Sequence, residues 1–282
     1  MNQLCSKPKG NPEWMEDAYC TTSSYIAVFD GATPKTAFRF ADGRTPGQVA
    51  AQTLAQATAL LSPRLSARQA IDHLSEALHS ALHGHSGEAS GVIYSVSRRE
   101  VWSVGDCQYA FLHQDGRFES FQEHKQIDIV LAEWRRSILR SYLSRGILTP
   151  ADIQRNDPGR RIIQPFISRQ TRYQNISPLS SKWAFGVFDV KHIPDCFIRI
   201  SPVPDTVSDL ILASDGYPQL FPTLEESESY LARLIQEDPL CIGPLLGTKG
   251  IQAGNTVPDD RTYIKTPLPT SHSFYLSQSV SE

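Results

Sequence analysis

The acidic residues of this chain stand at the ends of apolar segments, and that placement constrains the fold more than any other feature. Asp30 follows IAVF, Asp106 follows VWSVG, Asp215 follows LILAS, and Asp259 with Asp260 precedes RTYI. Glu16 and Asp17 form a further pair shortly before the first of these segments. Short apolar runs bounded in this way read as strands. Strand ends gather at the edge of a sheet, and carboxylates brought together there repel one another unless a cation lies between them. Such hard oxygen ligands suit Mg²⁺ or Mn²⁺. Asp30, Asp106 and Asp215 each adjoin a glycine (Gly31, Gly105 and Gly216), which permits a tight turn and lets the backbone approach an ion. One Asp-Gly pair alone is more simply a turn.

Local signals place the remaining elements. A first strand is predicted over 25–29. A helix starts at the cap pair Thr45-Pro46 and runs to about Leu61. A second runs from about Ser66 to His83, stopped by Gly84, with Ile71, Leu74, Leu78 and Leu82 at helical spacing. Strands are predicted over 91–96, 100–104 and 108–113, and Gln114-Asp115-Gly116-Arg117 makes a hairpin turn into another. A helix over about 123–145 follows. Residues 149–182, rich in Pro, Asn, Arg and Ser, read as mostly loop. Strands over 196–200 and 210–213, a Thr223-capped helix to about Gln236 and a strand over 261–265 complete the chain. Helix pairs interleaved with runs of strands indicate an α+β fold with mainly antiparallel sheets. One domain over 1–266 and a polar tail over 267–282 are expected.

Composition excludes several classes. Lys+Arg 27 against Asp+Glu 30 argues against a nucleic-acid or anionic-membrane surface. Hydrophobic residues at 40% suffice for a sizeable core. No apolar run reaches a membrane-spanning length, and Met1–Gly10 lacks the apolar stretch of a secretory signal, so a cytoplasmic location is expected. The five cysteines are widely spaced with no C-x-x-C pair, which reads as reduced thiols rather than zinc ligands or a disulfide framework.

In order, the acidic segments read WMEDAY, AVFDGAT, SVGDCQ, LILASDGY and DDRTYI. This series resembles the metal-dependent serine/threonine protein phosphatases of the PPM (PP2C) family, over roughly residues 11–266. The resemblance implies a four-layer α-β-β-α sandwich with two mainly antiparallel sheets and a binuclear Mn²⁺ or Mg²⁺ centre at one end. Carried over by residue, Asp30 bridges the two metals and Gly31 offers its carbonyl. Asp215 and Asp259 complete the first metal, Glu16 and Asp17 hold metal-bound waters, and Asp106 helps hold a third ion. Asp30, Asp215 and Asp259 are then the catalytic set. The implied reaction is hydrolysis of phosphoserine or phosphothreonine in a protein substrate by a metal-activated water, with no protein nucleophile. A catalytically weak phosphoprotein-binding module and a small-metabolite phosphatase are the alternatives.

Departures from the family pattern concern substrate recognition. The arginine that many members place four residues before the glutamate is here Pro12, leaving Lys9 or Lys35 as candidate replacements. The histidine after the first glycine is Ala32, the G-D-S-R element is Gly105-Asp106-Cys107-Gln108, and R-x-x-G-D survives faintly as WAFGVFD over 183–189. In the family, residues equivalent to 149–182 form a variable flap beside the site, where substrate choice is set. His79, His83 and His85 read as a solvent-facing helix end, and Trp134-Arg135-Arg136 as a solvated basic face. No G-x-S-x-G elbow, Walker loop, G-x-G-x-x-G or C-x5-R element occurs, which argues against serine hydrolases, nucleotide enzymes and cysteine phosphatases.

Overall fold

The computed structural model describes residues 2–32 and 38–269. Among the described residues, ten strands form two antiparallel five-stranded sheets. The first sheet has the order β2 (Asp17–Thr21), β3 (Tyr25–Gly31), β4 (Ala89–Ser95), β5 (Glu100–Val104) and β8 (Arg199–Pro202). The second has the order β1 (Gln3–Lys7), β10 (Arg261–Pro267), β9 (Val207–Ala213), β6 (Gln108–His113) and β7 (Phe118–Phe121).

Alternation along the strands divides the core into layers. Ile26 and Val28 point from β3 toward the second sheet and meet Tyr109, Leu210, Leu212 and Ile264. Tyr25, Ala27 and Phe29 point the other way, onto helices α1 (Pro46–Leu60) and α2 (Ala67–Leu82). Beyond the second sheet, Ile211, Ala213 and Tyr263 pack with Tyr217, Leu220 and Leu224, the last opening helix α6 (Leu224–Glu237). Helix α3 (Gln126–Ser144) lies with α6 on this side and packs against α5 (Pro158–Ile167) through Leu131, Ile163 and Ile167. The result is the α+β sandwich implied by the motif series. Among the described residues, no helix is long and apolar enough to cross a membrane.

The caps form where the sequence places them. Thr45 and Gln48 close a capping box on α1 with Pro46 in its first turn, Ser66 and Gln69 do so on α2, and Thr223 and Glu226 on α6. The left-handed residue ending α2 is His83, at φ 48°, with Gly84 following.

Four expectations are corrected. Strands β1 and β2 precede the predicted first strand; both lie at sheet edges, where one exposed face blurs the apolar alternation. Residues 149–182 are not mostly loop: they hold α4 (Pro150–Arg155) and α5. Thr149 and Asp152 box the first, and Asp157 caps the second ahead of Pro158. The predicted strand over 196–200 is a 3-10 turn, Asp195–Phe197, followed by β8. Arg135 is not on a solvated face but fully buried. Its Nε donates to Asp157 Oδ2 at 2.7 Å, and its Nη atoms donate to the carbonyls of Leu240, Cys241 and Gly247 at 2.7–3.0 Å. Of the tail expected over 267–282, Pro267 ends β10, and the N–H of the buried Leu268 donates to the Ser208 carbonyl. The rest of that tail, from 270, lies outside the described residues, as does Lys35.

Candidate metal centre

The carboxylates meet because of the antiparallel register. Asp17, opening β2, pairs with Asp30 near the end of β3. Asp106 lies in the turn between β5 and β6, Asp215 two residues beyond β9, and Asp259 just before β10. Asp30, Asp106, Asp215 and Asp259 line one cleft of about 100 Å³, with Gly31, Ser90, Lys125 and Val187. Gly31 has no room for a side chain: a Cβ there would lie 2.2 Å from the carbonyl oxygen of Gly47 at the start of α1. Gly216 is equally constrained, 1.9 Å from the Asp260 carbonyl. Glycine is thus required beside Asp30 and Asp215 by close backbone approach.

Glu16 and Asp17 are buried but do not line the cleft. Glu16 accepts from the α1 cap, Thr45 Oγ1, at 2.7 Å. Asp17 Oδ2 accepts from Ser214 Oγ at 2.7 Å, while its Oδ1 is buried with no hydrogen-bond partner. Ser214 also accepts from the Thr262 N–H, so one hydroxyl ties β2, β9 and β10 together at the cleft. Gln108 donates to the carbonyls of Ser214 and Tyr217 at 3.0 and 2.6 Å and braces the turn that carries Asp215. Of the two adjacent aspartates, Asp260 is structural: it accepts from the N–H groups of Lys9 and Glu16 at 2.7 and 2.9 Å.

Electrostatics divides the carboxylates into two groups. Burial, then the charges of Asp215 and Asp17, pushes Asp30 well above the usual carboxylate range. Burial likewise raises Asp215, followed by the charges of Asp106 and Asp259. Asp30 and Asp215 also share a hydrogen bond. Asp106 and Asp259 behave oppositely. Burial works against their charge, but Lys125 lowers Asp106, and Lys249 with Lys9 lowers Asp259. Lys125 Nζ lies 2.9 Å from Asp106 Oδ2, whose other oxygen meets Ser90 Oγ. Lys9 and Lys249 lie 2.9 and 2.6 Å from the two oxygens of Asp259.

This bears directly on metal binding. Among the described residues, no three His, Cys, Asp or Glu side chains already converge on one ion position. The donor chemistry nevertheless fits a hard divalent cation at Asp30 and Asp215, which are all-oxygen ligands with raised pKa, beside the orphaned Asp17 oxygen. Asp106 and Asp259 line the same cleft but already carry ammonium groups.

Sequence reasoning named Lys9 and missed Lys125, Lys249, Ser90 and Ser214. Ser214 stood inside the LILASDG segment; nothing local marked the two lysines. His79, His83 and His85 are exposed at the end of α2, as expected.

No protein-family model matches the chain, and no curated protein matches its sequence. A bacterial serine phosphatase has the same fold, with TM-score 0.50 and 14% identity over 96% of this chain and 98% of that chain. The serine/threonine phosphatase Stp1 from Staphylococcus aureus aligns with TM-score 0.48 and 16% identity, over 95% and 94% of the respective chains. PstP/Ppp from Mycobacterium tuberculosis aligns with TM-score 0.47 and 14% identity, over 95% and 98%.

Proposed function

We propose that residues 1–266 form one PPM-type phosphatase domain, a metal-dependent phosphomonoesterase acting on phosphoserine or phosphothreonine in proteins. The observation that carries this is the convergence of Asp30, Asp106, Asp215 and Asp259, from four separated segments, on one small cleft. Mn²⁺ or Mg²⁺ would be held by Asp30, Asp215 and the Gly31 carbonyl, with Asp259 and Asp106 completing further ion positions once their lysines yield. When bound, such ions supply a water of lowered pKa for in-line attack and offset charge on the phosphoryl oxygens.

The protein's own groups do the rest. Ser214 orients Asp17, and Thr45 and Lys9 hold Glu16, so the acidic pair is fixed behind the cleft. A groove of about 400 Å³ shares Asp106, Lys125, Asp215 and Asp259 with the cleft and has the size of a ligand site. The Cys107 thiol is buried, and burial, then Asp30 and Asp106, raise its pKa, which argues against a thiolate nucleophile.

The test is phosphate release from phosphoserine and phosphothreonine peptides and an aryl phosphate, with Mn²⁺ titrated and Asp215→Asn in parallel. Mn²⁺-dependent release, lost by about 10²-fold or more in the variant, is expected. Equal release from both proteins sinks the site. A second reading, a phosphoprotein-binding module without turnover, draws on the two ammonium groups that occupy both oxygens of Asp259. Phosphopeptide binding with no release at any Mn²⁺ concentration would select it.

A further inference from the structure

The cation left unassigned by Pro12 can be sought among the lysines at the cleft. Lys9, the candidate from sequence, is engaged elsewhere: its ammonium faces Glu16, Asp259 and Asp260 at 3.4, 2.9 and 3.3 Å. Those three carboxylates match its three N–H donors, and Lys9 lines neither the cleft nor the adjoining groove. Lys125 and Lys249 differ. Both line the groove, and Lys125 also lines the cleft. Their side chains keep 19% exposure each, and each faces one close carboxylate, Asp106 or Asp259. An ammonium with three donors and one such acceptor retains donors for a second anion.

Both lysines are held in place by built structure. Lys125 sits at the entry to α3, its ammonium 5.4 Å above the Phe185 ring. The neighbouring carboxylate on α3, Asp128, is bonded by Gln170 Nε2. Lys249 rides on a loop strapped from two sides. Asp238 accepts from the N–H groups of Ile242, Gly243 and Leu245 at 3.0, 2.6 and 3.0 Å. Arg135 takes three of the loop's carbonyls from beneath. A loop fixed by these six polar bonds presents Lys249 at a defined point.

We infer that Lys125 and Lys249 together form the clamp that grips the phosphoryl oxygens of the substrate, taking the place of the absent arginine. The inference rests on the phosphoryl ligand proposed above, whether that ligand is hydrolysed or only bound. Arg135 is then a positioning residue, acting through the loop that bears Lys249.

The test uses the full chain at saturating Mn²⁺ and inorganic phosphate as the probe, with affinity read by calorimetry and folding by thermal melting. Lys125→Met and Lys249→Met are each expected to weaken phosphate binding by about tenfold or more, the loss of a charged hydrogen bond. The Michaelis constant for a phosphopeptide should rise in step, and Lys125→Arg and Lys249→Arg should recover most of the affinity. If Lys125→Met does not fold, Lys249→Met and the two arginine variants still decide. Wild-type phosphate affinity in the folded methionine variants, or no phosphate binding by the wild type, overturns the clamp. Lysine-dependent binding without hydrolysis would sustain the clamp and overturn the phosphatase. Hydrolysis with an unchanged Michaelis constant in the variants would do the reverse.

Discussion

The two helical layers are held to their sheets by different means. Over the first sheet, α1 and α2 join Tyr25, Ala27, Phe29, Ile93 and Trp102 in one continuous apolar cluster. Over the second, the apolar contacts fall into separate small patches, and polar ties span the gaps. Arg135 links α3 to the cap of α5 and to the loop over 240–247. Glu228 on α6 binds Arg261 at 2.9 and 3.1 Å and Tyr217 at 2.6 Å. The site straddles this divide. Asp30, Gly31, Glu16 and Asp17 belong to the apolar side, fixed by close packing such as Gly31 against Gly47. Lys125 and Lys249 belong to the polar side, on segments positioned by hydrogen bonds. Dense apolar packing leaves few alternative arrangements, whereas hydrogen-bonded straps can exchange partners, as Asp259 and Asp106 must if they are to take a metal ion.

Three variants would break or sharpen this contrast. Arg135→Met should have the largest effect. It leaves three buried carbonyls and Asp157 without their partner, at a cost of about 3–5 kcal/mol in denaturant unfolding, and it should weaken phosphate binding through Lys249. A loss below about 1 kcal/mol would mean that the second layer does not depend on its polar hub. Leu74→Ala, in the fully buried face of α2, should cost about 3 kcal/mol through cavity formation. Measured well below its melting temperature, this variant should keep the wild-type Michaelis constant; a changed constant would show that the apolar layer also tunes the site.

Glu228→Gln should be smallest, about 1–2 kcal/mol at neutral pH, and it carries a pH signature. Burial opposes the Glu228 charge, but hydrogen bonds from Arg261 and Tyr217 outweigh it and bring the pKa down from 4.5 to about 2. A carboxylate depressed in the folded state contributes stability above its unfolded pKa and loses it as pH falls through the folded one. The gap between wild type and variant should therefore be full above pH 4.5 and close between 4.5 and 2. A gap constant over that window would show that the Arg261–Glu228 pair does not hold α6 to its sheet.

Legibility followed the range of the interactions involved. The helices α1, α2 and α6 were readable because Thr45, Ser66 and Thr223 announce their starts and the apolar spacing supplies the rest. Helix α4 carried the same signal, Thr149-Pro150 with Asp152, but the surrounding Pro, Asn and Arg masked it. Arg135 was readable in retrospect: Leu131, Arg135 and Leu139 fall at i, i+4 and i+8 on one buried stripe, which puts a cation where a leucine would be expected. Its partners, in the loop over 240–247 and at Asp157, had no local mark.

The sequence by itself determined which carboxylates stand at strand ends, since alternation and turn chemistry act over a few residues. It also showed that Asp30 and Asp215 each adjoin a glycine, while the need for glycine there came from the close approach of Gly47 and Asp260. Only the tertiary structure decided that Lys9 meets Asp259 across a separation of 250 residues, and that the neighbouring Asp260 accepts from the N–H groups of Lys9 and Glu16. The same holds for Lys125 and Lys249, which share the groove with Asp106 and Asp259. The physical reason is that charge pairing is set by distance in space. A lysine surrounded in sequence by polar residues looks solvated until folding lays it against a buried carboxylate, where the low dielectric makes the pair strong.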